Sequence, residues 1–332
     1  MEMSSPSQGD FFGAPRNGAV RPVEFEPATV ALAERMPRTL RLGTSSWTTP
    51  GWQGLVYAEH HEPALLARAG LEAYTRHPLL RAVGVDSTFY APAPPARLER
   101  DAAAVPNDFR FLVKAWSALT TPPSAPRPAH LATVPDLFLD PACAVTKVVE
   151  PAARALGGKL GTLLFQFSPL GRDWTARPAE FVARLERFLG ALPHGPRYAV
   201  ELRDPEFLGA EYESALRAAN AVHCANVHPR MPPVDIQTSG AERRGDERAP
   251  LVIRWMLQPG HTYESAARRY APYDRLVDPD SRNRERVAAM ACAATAAGRE
   301  VIVIANNKAE GCAPLTLTEL ARSIDRRRLR AW

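Results

Sequence analysis

The chain has 332 residues, of which 45% are hydrophobic and 23% charged, and its 41 basic and 36 acidic side chains leave a net charge of +5. That is an ordinary balance for a soluble protein, and a surplus of five is too small by itself to argue for a nucleic-acid footprint. The four cysteines, Cys143, Cys224, Cys292 and Cys312, lie far from any CxxC spacing, and the longest apolar run is too short to span a bilayer, so neither a zinc or iron–sulfur site nor a membrane role is expected.

Residues 1–38 carry no sustained period and are punctuated by Gly and Pro, which reads as a largely flexible tail with a short helix within "EPATVALAERM". The start lacks a secretory signal, and a reduced, cytoplasmic protein is expected. From residue 39 to 332 the pattern becomes regular. "TLRLGTSSW" reads as a strand ending in glycine and hydroxyls, and "EPALLARAGLEAYTRH" as a helix with proline near its first turn. Strand "LLRAVGVD", helix "PPARLERDAAA" and strand "FRFLVKA" follow. "PAARALGG" closes a helix on glycines before "KLGTLLFQF". The amphipathic "RPAEFVARLERFLGAL" leads to "RYAVELR", and "EYESALRAAN" to "AVHCAN". After a loop broken by Pro and Gly come "LVIRWM", the helix "RNRERVAAMACAATAAG", the strand "EVIVIAN" and a last helix, "LTLTELARSIDRR". Eight strands separated by helical crossovers imply parallel pairing and closure into a single (β/α)8 TIM-barrel-like domain. An open doubly wound sheet is the rival, but "LGTSSW" lacks GxGxxG spacing and there is no Walker pattern.

In such a barrel the carboxyl ends of the strands share one mouth. The strands deliver Thr44 and Ser45, Asp86, Lys114, Gln166, Glu201 with Arg203, Asn226, Arg254, and Asn306 with Asn307. Residues 201 and 203 share one side of their strand, so both reach the mouth or neither does. An arginine within so apolar a strand as "LVIRWM" needs an anionic partner, either a ligand phosphate or a structural carboxylate. Lys114 suits an anion, or it simply snorkels along the strand edge. Glu201 reads either as a general base or as one half of a structural salt bridge; Asn306 and Asn307 either bind a ligand or cap a turn. Trp47 and Trp52 flank "TTPG" in the first strand-to-helix loop, and Tyr90 ends "DSTFY"; these aromatics stack on a ligand ring or plug the barrel top. The scattered histidines lack HExxH spacing and there is no GxSxG elbow, so no metal, no cofactor and no serine hydrolase is expected. The basic end, "RSIDRRRLRAW", reads mainly as a solvated helix face, and nucleic acid is only weakly supported.

Taken in order, "LGTSSWTTPGWQGLVY", "VDSTFY", "FLVKA", "LLFQFSP", "AVELRDPEF" and "NNKAEGCAP" resemble the YecE-like family over residues 39–322. The resemblance implies a TIM-barrel-like fold without a settled activity, and a distant likeness to barrel endonucleases acting at damaged DNA. The family pattern is kept at Trp47, Trp52, Tyr57, Ser87, Thr88, Phe89, Tyr90, Lys114, Gln166, Glu201, Arg203, Arg254, Asn306, Asn307 and Gly311. It is broken where the family has glutamate and this chain Gly84, asparagine and Asp86, aspartate and Asn226, histidine and Met256, histidine and Asp204, and asparagine and Thr316. The resemblance therefore implies a divergent member that lacks several metal-capable residues, and not a multi-zinc endonuclease.

Two readings stand at this stage. One is an enzyme, for instance a hydrolase, acting on a phosphorylated or sugar-like small molecule or a nucleic-acid end. In it Glu201, Lys114 and Asp86 are catalytic, while Arg254, Arg203, Asn306, Asn307, Gln166, Trp47, Trp52 and Tyr90 bind the ligand. The other is a barrel that binds a ligand or nucleic acid through the same cations without turnover.

Overall fold

The structure is a computed structural model that describes residues 19–243 and 249–330. Eight strands form it: β1 Leu40–Thr44, β2 Leu80–Val85, β3 Arg110–Lys114, β4 Leu160–Gln166, β5 Tyr198–Glu201, β6 Ala221–Val227, β7 Leu251–Trp255 and β8 Val301–Ala305. They pair in chain order, all parallel, and β8 returns to β1 to close the barrel. The eight segments expected to be strands are these eight.

The connections are helical. α1 (Pro27–Glu34) precedes the barrel, α2 (Pro63–Thr75) follows β1, and α3 (Pro95–Ala103) follows β2. After β3 the chain runs through α4 (Pro141–Ala144), a π-helical turn over Val145–Val149, and α5 (Glu150–Leu156). α6 (Arg172–Thr175) and α7 (Pro178–Gly190) follow β4, α8 (Ala210–Ala218) follows β5, and α9 (Val234–Arg243) follows β6. α10 (Tyr263–Tyr270) and α11 (Ser281–Ala296) lie between β7 and β8, and α12 (Ala313–Arg330) ends the chain. Five of these helices, α1, α2, α3, α4 and α7, begin with a proline, whose fixed φ and missing N–H suit a first turn.

The first 18 residues of the expected tail lie outside the described residues. Part of the remainder is tied to the barrel. The Ala58 amide donates to the Arg21 carbonyl and the Val23 amide to Val56, and α1 lies on α12 with Arg35 paired to Asp325 at 2.9 Å.

Side-chain alternation sorts the strands into two cores. The outward residues, such as Leu40, Leu42, Val83, Phe111, Phe165, Val200, Ile253 and Val303, join the helices in one large cluster. The inward residues Ala82, Leu112, Leu164, Ala199, Cys224, Val252, Ile302 and Ile304 form a separate cluster that fills the middle of the lumen. An apolar plug of this kind makes the barrel a packed core and not a pore. It also places charged residues two positions before and after it at the two open ends.

Candidate functional site

Counting two residues beyond the plug gives Lys114, Gln166, Glu201, Asn226, Arg254 and Asn306, with Asp86 four beyond Ala82 after β2, all on the lumen side at the carboxyl end. Arg203 continues the β5 side of the same row. Above the apolar plug several of these groups pair with one another, while Asp86 Oδ1, Asn226 Oδ1 and Arg254 Nε are buried without a hydrogen-bond partner among the described residues. Arg254 is wholly buried and bridges two carboxylates: Nη2 lies 2.5 Å from Asp86 Oδ2 and Nη1 lies 2.6 Å from Glu201 Oε2. The other Glu201 oxygen pairs with Arg203 Nη1. The result is one chain of alternating charge, Asp86–Arg254–Glu201–Arg203, running across three strands. Of the two partners expected for Arg254, a structural carboxylate and a ligand phosphate, the structure shows the first, supplied twice, at a position that also faces the mouth.

Burial would raise the Glu201 carboxyl, but Arg203 and Arg254 outweigh it and hold the group at about 2. For Arg254, burial lowers the guanidinium, while Asp86 and Glu201 more than restore it and leave it raised. Lys114 behaves differently. Its Nζ sits 3.6 Å from the centre of the Phe89 ring and forms no ion pair among the described residues. The residue is 8% exposed. Burial brings the ammonium down to about 8, with Asp86 opposing the shift.

A cavity of about 600 Å³ opens above this chain. Its floor has Asp86, Lys114, Gln166, Arg203, Arg254 and Asn306, and its walls add Ser45, Ser168, Met256, Arg230, Tyr263 and Lys308. Five cations, Lys114, Arg203, Arg230, Arg254 and Lys308, meet three carboxylates in or just behind the wall, those of Asp86, Glu201 and Asp204. Arg230 is anchored to Asp204 at 2.9 Å. The adjoining His228 is brought to about 4 by burial and Arg203, so it is neutral and does not alter that surplus of positive charge at pH 7. Phe89 and Tyr90 stand edge to face at the rim, and Tyr90 is 60% exposed.

The structure brings together most of the residues singled out in the sequence, with three exceptions. Trp47 is buried and its indole donates to the Leu66 carbonyl at 3.0 Å. Trp52 is also buried, and its indole reaches Asn307 Oδ1 at 3.3 Å. Asn307 in turn accepts from the Ala313 amide at 2.9 Å and donates to Thr49. None of the three lines the cavity: Trp47 is tied to α2, while Trp52 and Asn307 fasten the first and last loops to each other. Glu201 is present but enclosed, with no exposed surface and two guanidinium partners. Asn306 does face the cavity and donates to Ser45 Oγ at 2.9 Å, whereas Thr44 turns away to the Tyr74 hydroxyl. Gln166 lies at the floor, donating to Ser168 Oγ.

Sequence reasoning missed Arg230, Lys308 and Tyr263, and the wall role of Phe89. Arg230 and Lys308 sit only a few residues after β6 and β8, where basic residues are as expected in a site as the strand ends themselves; Tyr263 opens α10, a helix too short to announce itself. Gly84 also faces the lumen, where a Cβ would come 3.1 Å from Ser45 Cα and 3.3 Å from Ile304. A larger side chain there needs both neighbours to yield. Among the described residues, no three His, Cys, Asp or Glu side chains converge in a way that could hold a metal ion, and no helix is long and apolar enough to cross a membrane.

A closed eightfold parallel barrel with a polar carboxyl-end mouth defines the chain as a (β/α)8 barrel protein with one candidate site at the usual end. More narrowly, the chain belongs to the family described as protein of unknown function DUF72, which matches residues 41–331. The YecE-like resemblance is membership in this family. A DUF72 family protein from Thermotoga maritima is 19% identical, with a TM-score of 0.60 over 86% of this chain and 99% of that one. Another from Enterococcus faecalis is 18% identical, with a TM-score of 0.59 over 86% and 95%. No protein of curated function matches the chain.

Proposed function

We propose that this barrel binds a small anionic molecule, bearing phosphate or carboxylate together with hydroxyl groups, and acts on it with Lys114 as the proton-transferring group. The observation that carries the reading is the contrast inside one cluster. Arg254 and Arg203 are tied to carboxylates, whereas Lys114 faces the same cavity with no ion pair among the described residues. An amine at about 8 exchanges protons near neutral pH, which is what a general acid or base requires. The surplus of cations supplies the attraction for an anion and stabilises an oxyanion formed during reaction. Ser45, Gln166 and Asn306 offer hydrogen bonds to hydroxyls, and Tyr90 and Tyr263 offer ring faces at the rim.

In this reading Glu201 keeps Arg203 and Arg254 in place, and Asp86 both steadies Arg254 and holds a carboxylate near the substrate. A cavity of this size suits a sugar phosphate or a nucleotide end. One observation favours binding without turnover: both carboxylates of the cluster are already engaged by Arg254. The two readings separate in a single experiment. The full chain is screened by thermal shift against sugar phosphates, nucleoside monophosphates and small hydroxy acids, and hits are followed for chemical change with wild type and Lys114→Met. Turnover by wild type that disappears in Lys114→Met, with binding reduced only modestly, supports the catalytic role. Binding without chemical change leaves the binding protein. Unaltered turnover in Lys114→Met overturns the assignment of Lys114.

A further inference from the structure

The opposite end of the barrel carries a second charged ring. Two residues before the apolar plug, the lumen positions include Arg110, Arg197 and Glu300, with Arg41 beside them on β1. All three guanidinium groups converge on one carboxylate. Arg41 Nε is 3.2 Å from Glu300 Oε1, Arg110 Nε is 3.8 Å from the same oxygen, and Arg197 Nη1 pairs with Oε2. Arg110 spends another nitrogen on the carbonyls of Asn107 and Phe109. Next to them Arg81 and Asp108 pair at 2.5 Å and cancel each other. One carboxylate therefore serves three fixed positive charges.

The acceptor count falls short as well. Arg41 is 8% exposed and its Nη1 is buried without a hydrogen-bond partner among the described residues. A buried guanidinium nitrogen left unpaired is costly, and like charges crowded around a single acid repel. Burial and the neighbouring Arg81 hold the Arg41 guanidinium below its ordinary value, which agrees with a shortage of negative charge here. Arg197 is half exposed, so the ring is open to solvent on that side.

We propose that Arg41, Arg110 and Arg197 form a seat for a small tetrahedral oxyanion, phosphate or the phosphate group of a monoester, at the amino-terminal end of the barrel. Planar guanidinium groups that offer several N–H donors suit such an anion. The seat is separate from the mouth. The strands put roughly 15 Å and the apolar plug between the two ends, too far for one ligand group to touch both.

The test is calorimetric titration of the full-length protein with inorganic phosphate at constant ionic strength, in wild type, Arg197→Gln, Glu300→Gln and Lys114→Met. Arg197→Gln, at a half-exposed position, is expected to weaken phosphate by about tenfold. Glu300→Gln removes the competing carboxylate and is expected to tighten phosphate; if its folding suffers in chloride, phosphate restores it. Lys114→Met leaves this site unchanged. Opposite shifts in Arg197→Gln and Glu300→Gln are the signature of the seat. Glycerol phosphate in place of phosphate separates the sources: equal affinity marks a monoester group, and weaker affinity marks the free anion. The proposal is overturned by phosphate binding that Lys114→Met removes and Arg197→Gln leaves alone, or by no phosphate binding at all. It is equally overturned by a Glu300→Gln protein destabilised to the same extent in chloride and in phosphate, which would make the ring purely structural.

Discussion

Lys114 and Glu201 show how one cluster treats two charges in opposite ways. Lys114 is held at about 8 in the folded protein, below the ordinary 10.5 of a lysine. Between those values the unfolded chain binds a proton that the folded one lacks, so stability rises with pH through this window, and the penalty of the buried ammonium is fully present below it. Lys114→Met, which fills the space without a charge, is therefore expected to raise the melting temperature at pH 7 and to show no such gain above pH 10.5. A pH series of thermal unfolding curves for both proteins reads this directly, and an unchanged or lowered melting temperature at pH 7 would contradict it. Loss of activity with gain of stability is the usual signature of a functional strain. Glu201 lies at about 2, below its ordinary 4.5. Its stabilisation is fully present above 4.5 and is lost as pH falls toward 2. Glu201→Gln leaves two buried guanidinium groups short of an anion and is expected to cost about 3 kcal/mol at neutral pH. Acid titration of unfolding should then be shallower between pH 4.5 and 2 than in wild type; an equally steep acid limb would mean that other carboxylates dominate it. Much of this was legible in the sequence. An arginine in "LVIRWM" needs an anion, and the shared parity of residues 201 and 203 puts Arg203 on the same side of its strand as Glu201. What the sequence could not give was the choice of partner, since Asp86, Glu201 and an external anion all satisfied the demand for Arg254. Only the closed ring shows that Arg254 takes both acids and Lys114 neither.

At the scale of elements, composition concealed one signal and supplied another. With 32 prolines in the chain, single ones carry little weight, yet five of them start helices. α9 and α10 escaped because they are short and lie in segments where Pro and Gly dominate the pattern; α10 is held by a Thr262–Ser265 capping box that eight residues of periodicity do not announce. The aromatic loop after β1 was legible as a feature and not as a role. Two tryptophans beside a Pro-Gly turn suit a ligand stack and a structural fastening equally well, and the difference lies in their partners: the Leu66 carbonyl for Trp47, and for Trp52 a residue 255 positions away. Asn307 links the Trp52 indole, Thr49 and the first amide of α12. Asn307→Ala is expected to cost about 1–2 kcal/mol by stranding these groups, while leaving ligand affinity at the mouth within a factor of about two. Denaturant unfolding and the thermal-shift screen measure the two quantities on one preparation, and a large loss of ligand affinity would return Asn307 to the site.

For the whole molecule, the eightfold alternation was enough to read the barrel, because eight strands in parallel with helical returns leave few other ways to hide every edge. That closure has a consequence for how the protein is made. β1 has β8 as its second neighbour, Leu40 lying opposite Val301, so the first strand waits for nearly the entire chain before its free edge is covered. The mouth waits too: Asp86 and Glu201 are synthesised well before Arg254, the cation that unites them. A nascent chain stopped before residue 301 carries two open parallel edges and none of the β8 contribution to the lumen plug. Such a fragment, ended at residue 299, is expected to sediment with aggregates or to be captured by chaperones, with the full chain expected to stay in solution; a soluble, monomeric fragment on gel filtration would show that seven strands suffice. On the ribosome, the interval between the birth of the first strand and that of the last is therefore the protein's most vulnerable time, and it is set by the ring itself.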